Sequence, residues 1–196
     1  LITGGGQVPT PTDRFQITDS GKVLLGALTG GTTSALLISD DNGLRALVRT
    51  GQVLPGLPTG STLASIEHST FNRIGQFAFT ARVRQNNITT SGYLFCGDAS
   101  GKLDLVFAPG MSFPLSPTFS QTFNQALLYP FTDVAHSQLN DQGQLVFLLT
   151  SATGDSAIAT VSVPEPAFAL LPLAALLWLE RRHLGTRVAG LKHSQG

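Results

Sequence analysis

The sequence predicts an all-β protein built from tandem hairpin repeats, followed by an apolar helical segment. Three observations predict this fold class. The chain of 196 residues contains 21 Gly and 11 Pro but one Trp and one Met, a composition that favours many turns between short strands. A nine-residue pattern occurs three times, and one apolar run near the C-terminus is far longer than the others.

The nine-residue pattern is found in ITDSGKVLL, FNRIGQFAF and LNDQGQLVF, which begin at Ile17, Phe71 and Leu139. Each segment has an apolar residue, then Thr or Asn, then Gly four positions after the first residue and Lys or Gln after the Gly. Apolar residues follow at positions +6 and +8. Glycine readily adopts the positive φ that ends such a turn, and alternating apolar residues are typical of a strand. We therefore expect each glycine to end a turn and start a strand.

The segments that follow the first two turns are also alike. Each contains a strand, a polar turn that closes on Gly43 or Gly101, a second strand with alternating apolar residues, and an exit rich in Gly and Pro. The stretch DDNG at residues 40–43 favours a tight hairpin because Asn and Gly tolerate positive φ. The expected antiparallel strands are residues 22–28, 35–39, 44–49, 76–84, 93–96, 103–108 and 144–150.

These elements divide the chain into repeats of residues 15–70, 71–138 and 139–162, the last one partial. Residues 1–14 are expected to be the tail of a preceding repeat, so that the chain starts within a repeat and is a fragment. The three turn glycines are 54 and 68 residues apart. That period suits propeller-like or solenoid-like repeats. The alternative is an irregular β-sandwich whose hairpins are alike because they share common turn chemistry.

The repeats resemble tandem units of secreted bacterial proteins with the form Asn-x-x-Gly-x-Val-Ala-Phe, a hairpin and a Gly-x-x-x-Pro-Gly exit. Residues 72–79 and 140–147 match this form, and residues 51–56 match the exit. Thr18 replaces the Asn in the first unit, and the second exit, APGMSFP, departs further. The resemblance covers about residues 1–150. It implies an extracellular β domain and no particular reaction.

Motifs for chemistry are missing from the sequence. No nucleophile elbow, zinc-protease motif, phosphate-binding loop or Cys/His metal spacing occurs, and the four His are isolated. Cys96 is alone, and we expect a small core residue there. Asp40, Asp41 and Asn42 lack the distant carboxylate of a calcium loop. We expect no catalytic residue, no metal, no cofactor and, because the basic residues are scattered, no nucleic acid.

The apolar run, residues 168–179, contains twelve uncharged residues. As a helix it would span roughly 18 Å at about 1.5 Å per residue, whereas a bilayer core of about 30 Å takes about 20 residues. Extension back to Val161 gives nineteen residues. Residues 1–166 carry eight basic and eleven acidic residues, and residues 167–196 carry four and one. Hydropathy alone fits a membrane helix and an amphipathic or buried core helix equally well.

The order of the parts is more specific than their hydropathy. Val163, Pro164, Glu165 and Pro166 precede the apolar run, and a basic cluster with Arg181 and Arg182 follows it. This order closely resembles the PEP-CTERM protein-sorting signal over about residues 163–182. The resemblance implies transient insertion into the inner membrane and cleavage near Pro-Glu-Pro by an exosortase, a membrane-embedded transpeptidase with a Cys nucleophile.

One departure from this signal concerns the tail. The chain continues for fourteen residues past Arg182, whereas the family usually ends soon after its basic cluster. No secretory leader is recognisable at the N-terminus, which fits either a removed leader or a fragment.

The sequence thus predicts an extracellular β domain at 1–162, a sorting signal at 163–183 with a transmembrane helix at 167–179, and a basic cytoplasmic tail at 184–196. The expected function is that of an exported, non-catalytic cell-surface or matrix protein. Its expected partners are an exosortase and the inner membrane, with exopolysaccharide in a biofilm as a further candidate. The alternative is a fragment of a secreted carbohydrate-binding or hydrolytic β-propeller protein.

Overall fold

The computed structural model describes residues 15–29, 33–41, 43–116, 118–128 and 138–163. In these ranges the chain forms β-strands and no helix. The strands are β1 (Phe15–Ile17), β2 (Val23–Thr29), β3 (Thr33–Asp40), β4 (Gly43–Arg49), β5 (Thr62–Phe71), β6 (Gln76–Gln85), β7 (Ile88–Asp98), β8 (Leu103–Phe107), β9 (Ser112–Ser116), β10 (Phe119–Thr122), β11 (Gln125–Leu127), β12 (Gln144–Thr150) and β13 (Ser156–Ser162).

The strands form three antiparallel meanders and one ribbon. The first sheet has the order β1-β2-β3-β4, the middle sheet β5-β6-β7-β8 and the third sheet β11-β12-β13, while β9 and β10 pair with each other. None of these sheets closes on itself over the described residues. The all-β class is therefore confirmed, and the sheets other than the ribbon have three or four strands.

The predicted glycine turns are present and share one hydrogen-bond pattern. They are the first, second and third turns, at residues 18–22, 72–76 and 140–144. In the second turn the N–H of Asn72 donates to the carbonyl oxygen of Gln76 (3.0 Å), and the N–H of Gly75 donates to that of Asn72 (3.3 Å). The other two turns repeat both bonds, and the three glycines have φ of 77°, 90° and 74°. This arrangement matches a type I turn followed by a left-handed residue, and the expected strand starts at each one.

All seven predicted strands exist, but several others were not predicted. Strand β5 was missed because register shifts between Leu63 and Ser65 and between Ile66 and His68 break its alternation. Strand β13 was missed because two of its three less exposed positions, Ala157 and Ala159, carry small side chains with a weak apolar signal. The second exit differs from the first because it forms the β9-β10 ribbon.

Two hydrophobic cores lie on the two faces of the middle sheet. The first core joins the first and middle sheets, and in it the rings of Phe79 and Phe95 stack with centroids 5.3 Å apart. The second core joins the middle and third sheets and contains Ala78, Leu145 and Phe147. Strand β6 is therefore buried on both faces, which is why its first six residues are all buried.

The C-terminal signal falls largely outside the described residues, as do Pro164, Glu165, Pro166, the segment 167–179, Arg181, Arg182 and the tail 184–196. Within the described ranges, no helix is long and apolar enough to cross a membrane. The extension of the apolar run back to Val161 is wrong, since Val161 pairs with Leu145 in the third sheet.

Candidate functional site

The candidate site begins at Val163, the last described residue and the first of the predicted sorting stretch. Val163 is 4% exposed and packs in the second core. Its N–H donates to the carbonyl oxygen of Gly143 (2.7 Å), and its carbonyl oxygen accepts a bond from the Gln76 side-chain amide (3.2 Å). The β domain therefore holds the backbone of Val163 on both sides, directly before Pro164.

Gln76 is the residue that connects this anchor to the rest of the fold. Its side chain is fully buried, and its Oε1 accepts a bond from Nδ2 of Asn72 (2.7 Å) while its Nε2 reaches Val163. A Cβ at Gly143 would lie 3.0 Å from both the Gln76 amide atoms and the Val163 carbonyl oxygen. Gly143 is thus needed for its positive φ and also for this close approach.

The Asn-x-x-Gly-Gln pattern follows from bonds inside each turn. The Oδ1 of Asn72 accepts the N–H of Gln76 (2.8 Å), and Asn140 makes the same bond to Gln144 (2.8 Å). Both Asn side chains also donate to the Oε1 of their Gln, at 2.7 and 2.8 Å. Thr18 keeps the first of these bonds through its hydroxyl at 3.0 Å but has no amide to donate. Both the Asn/Thr exchange and the repeated Gln therefore have a local explanation.

The turns also contact one another in chain order. The N–H of Asp19 donates to the carbonyl oxygen of Arg73 (2.7 Å), and the N–H of Arg73 donates to Oδ1 of Asp141 (3.1 Å). The Nδ2 of Asn72 donates to the carbonyl oxygen of Asn140 (2.9 Å). The shared motif therefore joins the turns of successive sheets, in addition to shaping its own turn.

Arg73 and Asp141 add an ion pair to this contact. Nε and Nη2 of Arg73 lie 3.0 and 2.9 Å from Oδ2 of Asp141. The pKa of Asp141 is held below its usual value, foremost because the carboxylate accepts the backbone N–H of Arg73 and then its guanidinium. The pKa of Arg73 is raised by the hydrogen bond and charge of Asp141 and by the charge of Asp19. Both side chains are largely exposed, so water screens the pair.

Two adjoining clefts lie at the end of β4 and the start of β5. One, of about 670 Å³, is lined by residues 46, 47 and 49–52, and the other, of about 300 Å³, by residues 50, 51, 62–64 and 84. Arg49 and Arg84 are their charged lining residues, and neither pairs with a carboxylate in the part of the chain that the structure describes. The clefts offer positive charge and hydroxyl groups to a polar or anionic ligand.

Cys96 is a core residue, as expected. It is 2% exposed in the second core, and burial, aided by the charge of Asp104, raises the pKa of its thiol to about 11. Asp40 bonds to Arg45 (3.3 Å), whose Nη2 donates to the Ala99 carbonyl oxygen (2.8 Å). Across the described ranges no group of three or more His, Cys, Asp and Glu could hold a metal ion.

Comparison with known proteins identifies a family and no function. A family model described as a family of unknown function, DUF7453, matches residues 10–170. The chain belongs to this family. The matched region contains every described strand and also Pro164, Glu165 and Pro166. No curated protein and no solved structure gives a significant match to the chain.

Sequence reasoning found the turns but missed what they contact. Gln76 and Gln144 occupy the same place in the pattern, yet only Gln76 is fully buried and bound to Val163. The Arg73–Asp141 pair spans 68 residues and has no local signal. The sequence offers one hint, which is that Arg73 and Asp141 have opposite charges and are each the second residue of their turn.

Proposed function

We propose that this chain is an exported, non-catalytic cell-surface or matrix protein that an exosortase sorts and cleaves at its C-terminal Pro-Glu-Pro. The expected location is transiently the inner membrane and then the cell surface or the exterior. The proposal rests on the resemblance of Val163–Pro166, the apolar run and Arg181 and Arg182 to the PEP-CTERM signal.

The observation that carries the proposal furthest is the position of Val163. Both backbone groups of Val163 are bound within the β domain, and the proposed recognition stretch starts at the next residue. Pro164 and Pro166 disfavour regular helix and keep the backbone extended, which suits a protease. Cleavage beyond Val163 would therefore release the β domain with its last strand and core intact.

Two epitope tags test the sorting proposal. One is placed before Thr10 and the other after Gly196, in cells that express an exosortase. We expect the N-terminal tag on a shorter species at the surface or in the medium, without the C-terminal tag. Replacement of Pro164, Glu165 and Pro166 by Ala should leave the protein in the membrane fraction but block its cleavage.

A matched control uses prolines of the β domain. Pro55 in the first exit and Pro58 just after it are replaced by Ala, and processing should be unchanged. Replacement of Arg181 and Arg182 by Glu should weaken membrane retention because flanking positive charge sets the orientation of a membrane helix. A single full-length cytoplasmic species that carries both tags would contradict the proposal.

For the fold, we infer that the three meanders are units of a propeller-like or solenoid-like array. Support comes from the first, second and third turns, which contact one another in order, and from the two cores between successive sheets. A crystal structure of the β domain would test this, and sheets packed without a constant rotation from one to the next would contradict it.

The second candidate function is binding of an anionic polysaccharide, as in the carbohydrate-binding alternative. The clefts favour it, since Arg49 lines the larger one and Arg84 the smaller one, and neither has a carboxylate partner among the described residues. Alginate is a suitable probe for calorimetric titration. Replacement of Arg49 and Arg84 by Ala should abolish binding, whereas Lys102→Ala, which removes a cation paired with Asp104, should not. Equal binding by both variants would contradict a site in the clefts.

A further inference from the structure

Each of the three sheets has an equivalent face that can pack on a following sheet. On the third sheet, no described residue covers this face. Leu24, Ala78 and Val146 each lie three residues after a turn glycine. Leu24 packs in the first core and Ala78 in the second, and both are 0% exposed, whereas Val146 is 42% exposed. The same position thus contacts a following sheet twice and faces solvent once.

The next strand of each sheet, β3, β7 or β13, shows a larger difference in exposure. Strand register places Leu36, Leu94 and Ile158 opposite the residue five positions after each turn glycine. Leu36 and Leu94 are 0% exposed within the two cores, but Ile158 is 78% exposed. Leu127 and Leu148 extend this apolar face, because Leu127 pairs with Leu148, which pairs with Ile158.

The third turn has hydrogen-bond donors that reach no further turn among the described residues. The backbone N–H groups of Asp19 and Arg73 bind the next turn, but no described residue accepts the N–H of Asp141. The side-chain amide of Asn140 bonds Gln144 and, unlike that of Asn72, reaches no further turn in the described ranges. The third turn and the outer face of the third sheet therefore carry the same kinds of polar and apolar groups that join the first sheet to the middle sheet and the middle sheet to the third.

The first sheet carries the complementary face. In both cores, the packing face of one sheet contacts the following sheet at the residues two and four positions after that sheet's turn glycine. In the middle sheet these residues are Phe77 and Phe79. In the first sheet those positions are Val23 and Leu25, which are partly exposed, and Ile17, which pairs with Val23, is 55% exposed. Over the described residues, the first sheet thus leaves partly exposed the positions by which the middle and third sheets pack on the sheet before them.

We propose that the outer face of the third sheet, around Val146, Leu148 and Ile158, binds the first sheet of a second copy of this chain, head to tail. The contact continues the interface already formed twice within the chain. Because the two faces differ, the contact is heterologous and can add further copies. The proposal does not depend on sorting by an exosortase.

Charge at the turns gives this contact a signature. The second residue of the three successive turns is Asp19, Arg73 and Asp141, so that oppositely charged residues are neighbours. A head-to-tail contact places Asp141 beside Asp19 of the next copy. The like charges oppose association, and salt should therefore strengthen it by screening them.

Sedimentation velocity of the full chain in a mild detergent tests the proposal. We expect species larger than a dimer whose proportion rises with protein concentration and with salt. Ile158→Lys should weaken association by about tenfold or more, because it places a charge in an apolar contact. The matched control Ile88→Lys changes another exposed Ile on a different sheet and should have no effect. Asp19→Asn should tighten association severalfold at low salt, by roughly the loss of one like-charge contact.

The other outcomes each overturn the proposal. A monomer at all concentrations would do so, as would a dimer that never grows and is indifferent to Asp19→Asn, which indicates symmetric pairing. Association that appears only when the chain is ended at Pro164 would mean that the C-terminal segment of the same chain covers the face. Thermal unfolding of each variant checks that the fold is retained.

Discussion

The second and third turns carry the same Asn-x-x-Gly-Gln pattern and the same internal hydrogen bonds, yet they lie in different surroundings. In the second turn Asn72 is 3% exposed and Gln76 fully buried, whereas Gln144 of the third turn is exposed. The difference arises because the third turn lies over the second, while no described residue lies over the third. The motif therefore shapes the turn in the same way at both places, but its contribution to the free energy of unfolding depends on what packs against it.

The largest expected difference between these regions lies at the register-equivalent residues Leu94 and Ile158. Leu94→Ala should lower the free energy of unfolding by about 2–5 kcal/mol, because it leaves a cavity in the second core. Ile158→Ala should change it by less than about 0.5 kcal/mol at low protein concentration. Urea unfolding followed by circular dichroism measures both. Similar losses in the two variants would mean that the outer face is already covered within one chain.

The two glutamines sharpen the same comparison. Gln76→Ala should cost about 2 kcal/mol, because the buried carbonyl oxygen of Val163 loses its side-chain donor. Gln144→Ala should cost less than about 0.5 kcal/mol, because water replaces its bonds. Urea unfolding again provides the values. If Gln144→Ala were as costly as Gln76→Ala, the bonds within the turn would account for the effect, and the contact with Val163 would not.

Cys96 reports on the contact between the middle and third sheets. Its burial and its pKa of about 11 keep the thiol protonated and inaccessible in the folded protein. We expect negligible reaction with a disulfide reagent at mildly alkaline pH in the native state and full reaction in urea. Leu94→Ala should accelerate native-state labelling, whereas Ile158→Ala should not. Rapid labelling of the unmodified protein would show that the second core opens readily.

The smallest effect is expected at Asp141, which joins the second and third turns at the surface. Its folded pKa is depressed, so its contribution to stability is present above the unfolded pKa and is lost as the pH falls through the folded pKa. Asp141→Asn should remove this acid-range loss and cause only a slight destabilisation at neutral pH. The control Asp41→Asn changes an exposed carboxylate without an ion pair in the described ranges. An NMR titration of Asp141 with an ordinary midpoint would contradict the prediction.

The strands that were predicted follow from regular alternation after a glycine turn, as in β2, β6 and β12. Strand β5 could not be predicted, because its register shifts move side chains between faces and break the period of two. Of the candidate site, the sequence indicated Val163 and its following residues but not the anchor. Gln76 is 87 residues from Val163, and no local pattern links them.

The sequence by itself determined the turns, because glycine at positive φ and an Asn or Thr side chain that caps the turn act within five residues. It also determined which residues of β6 and β12 are apolar. Only the tertiary structure decided which apolar faces are covered, since Ala78 is buried and Val146 is exposed although they hold the same position. Burial depends on what packs against a sheet, and that partner comes from distant parts of the chain.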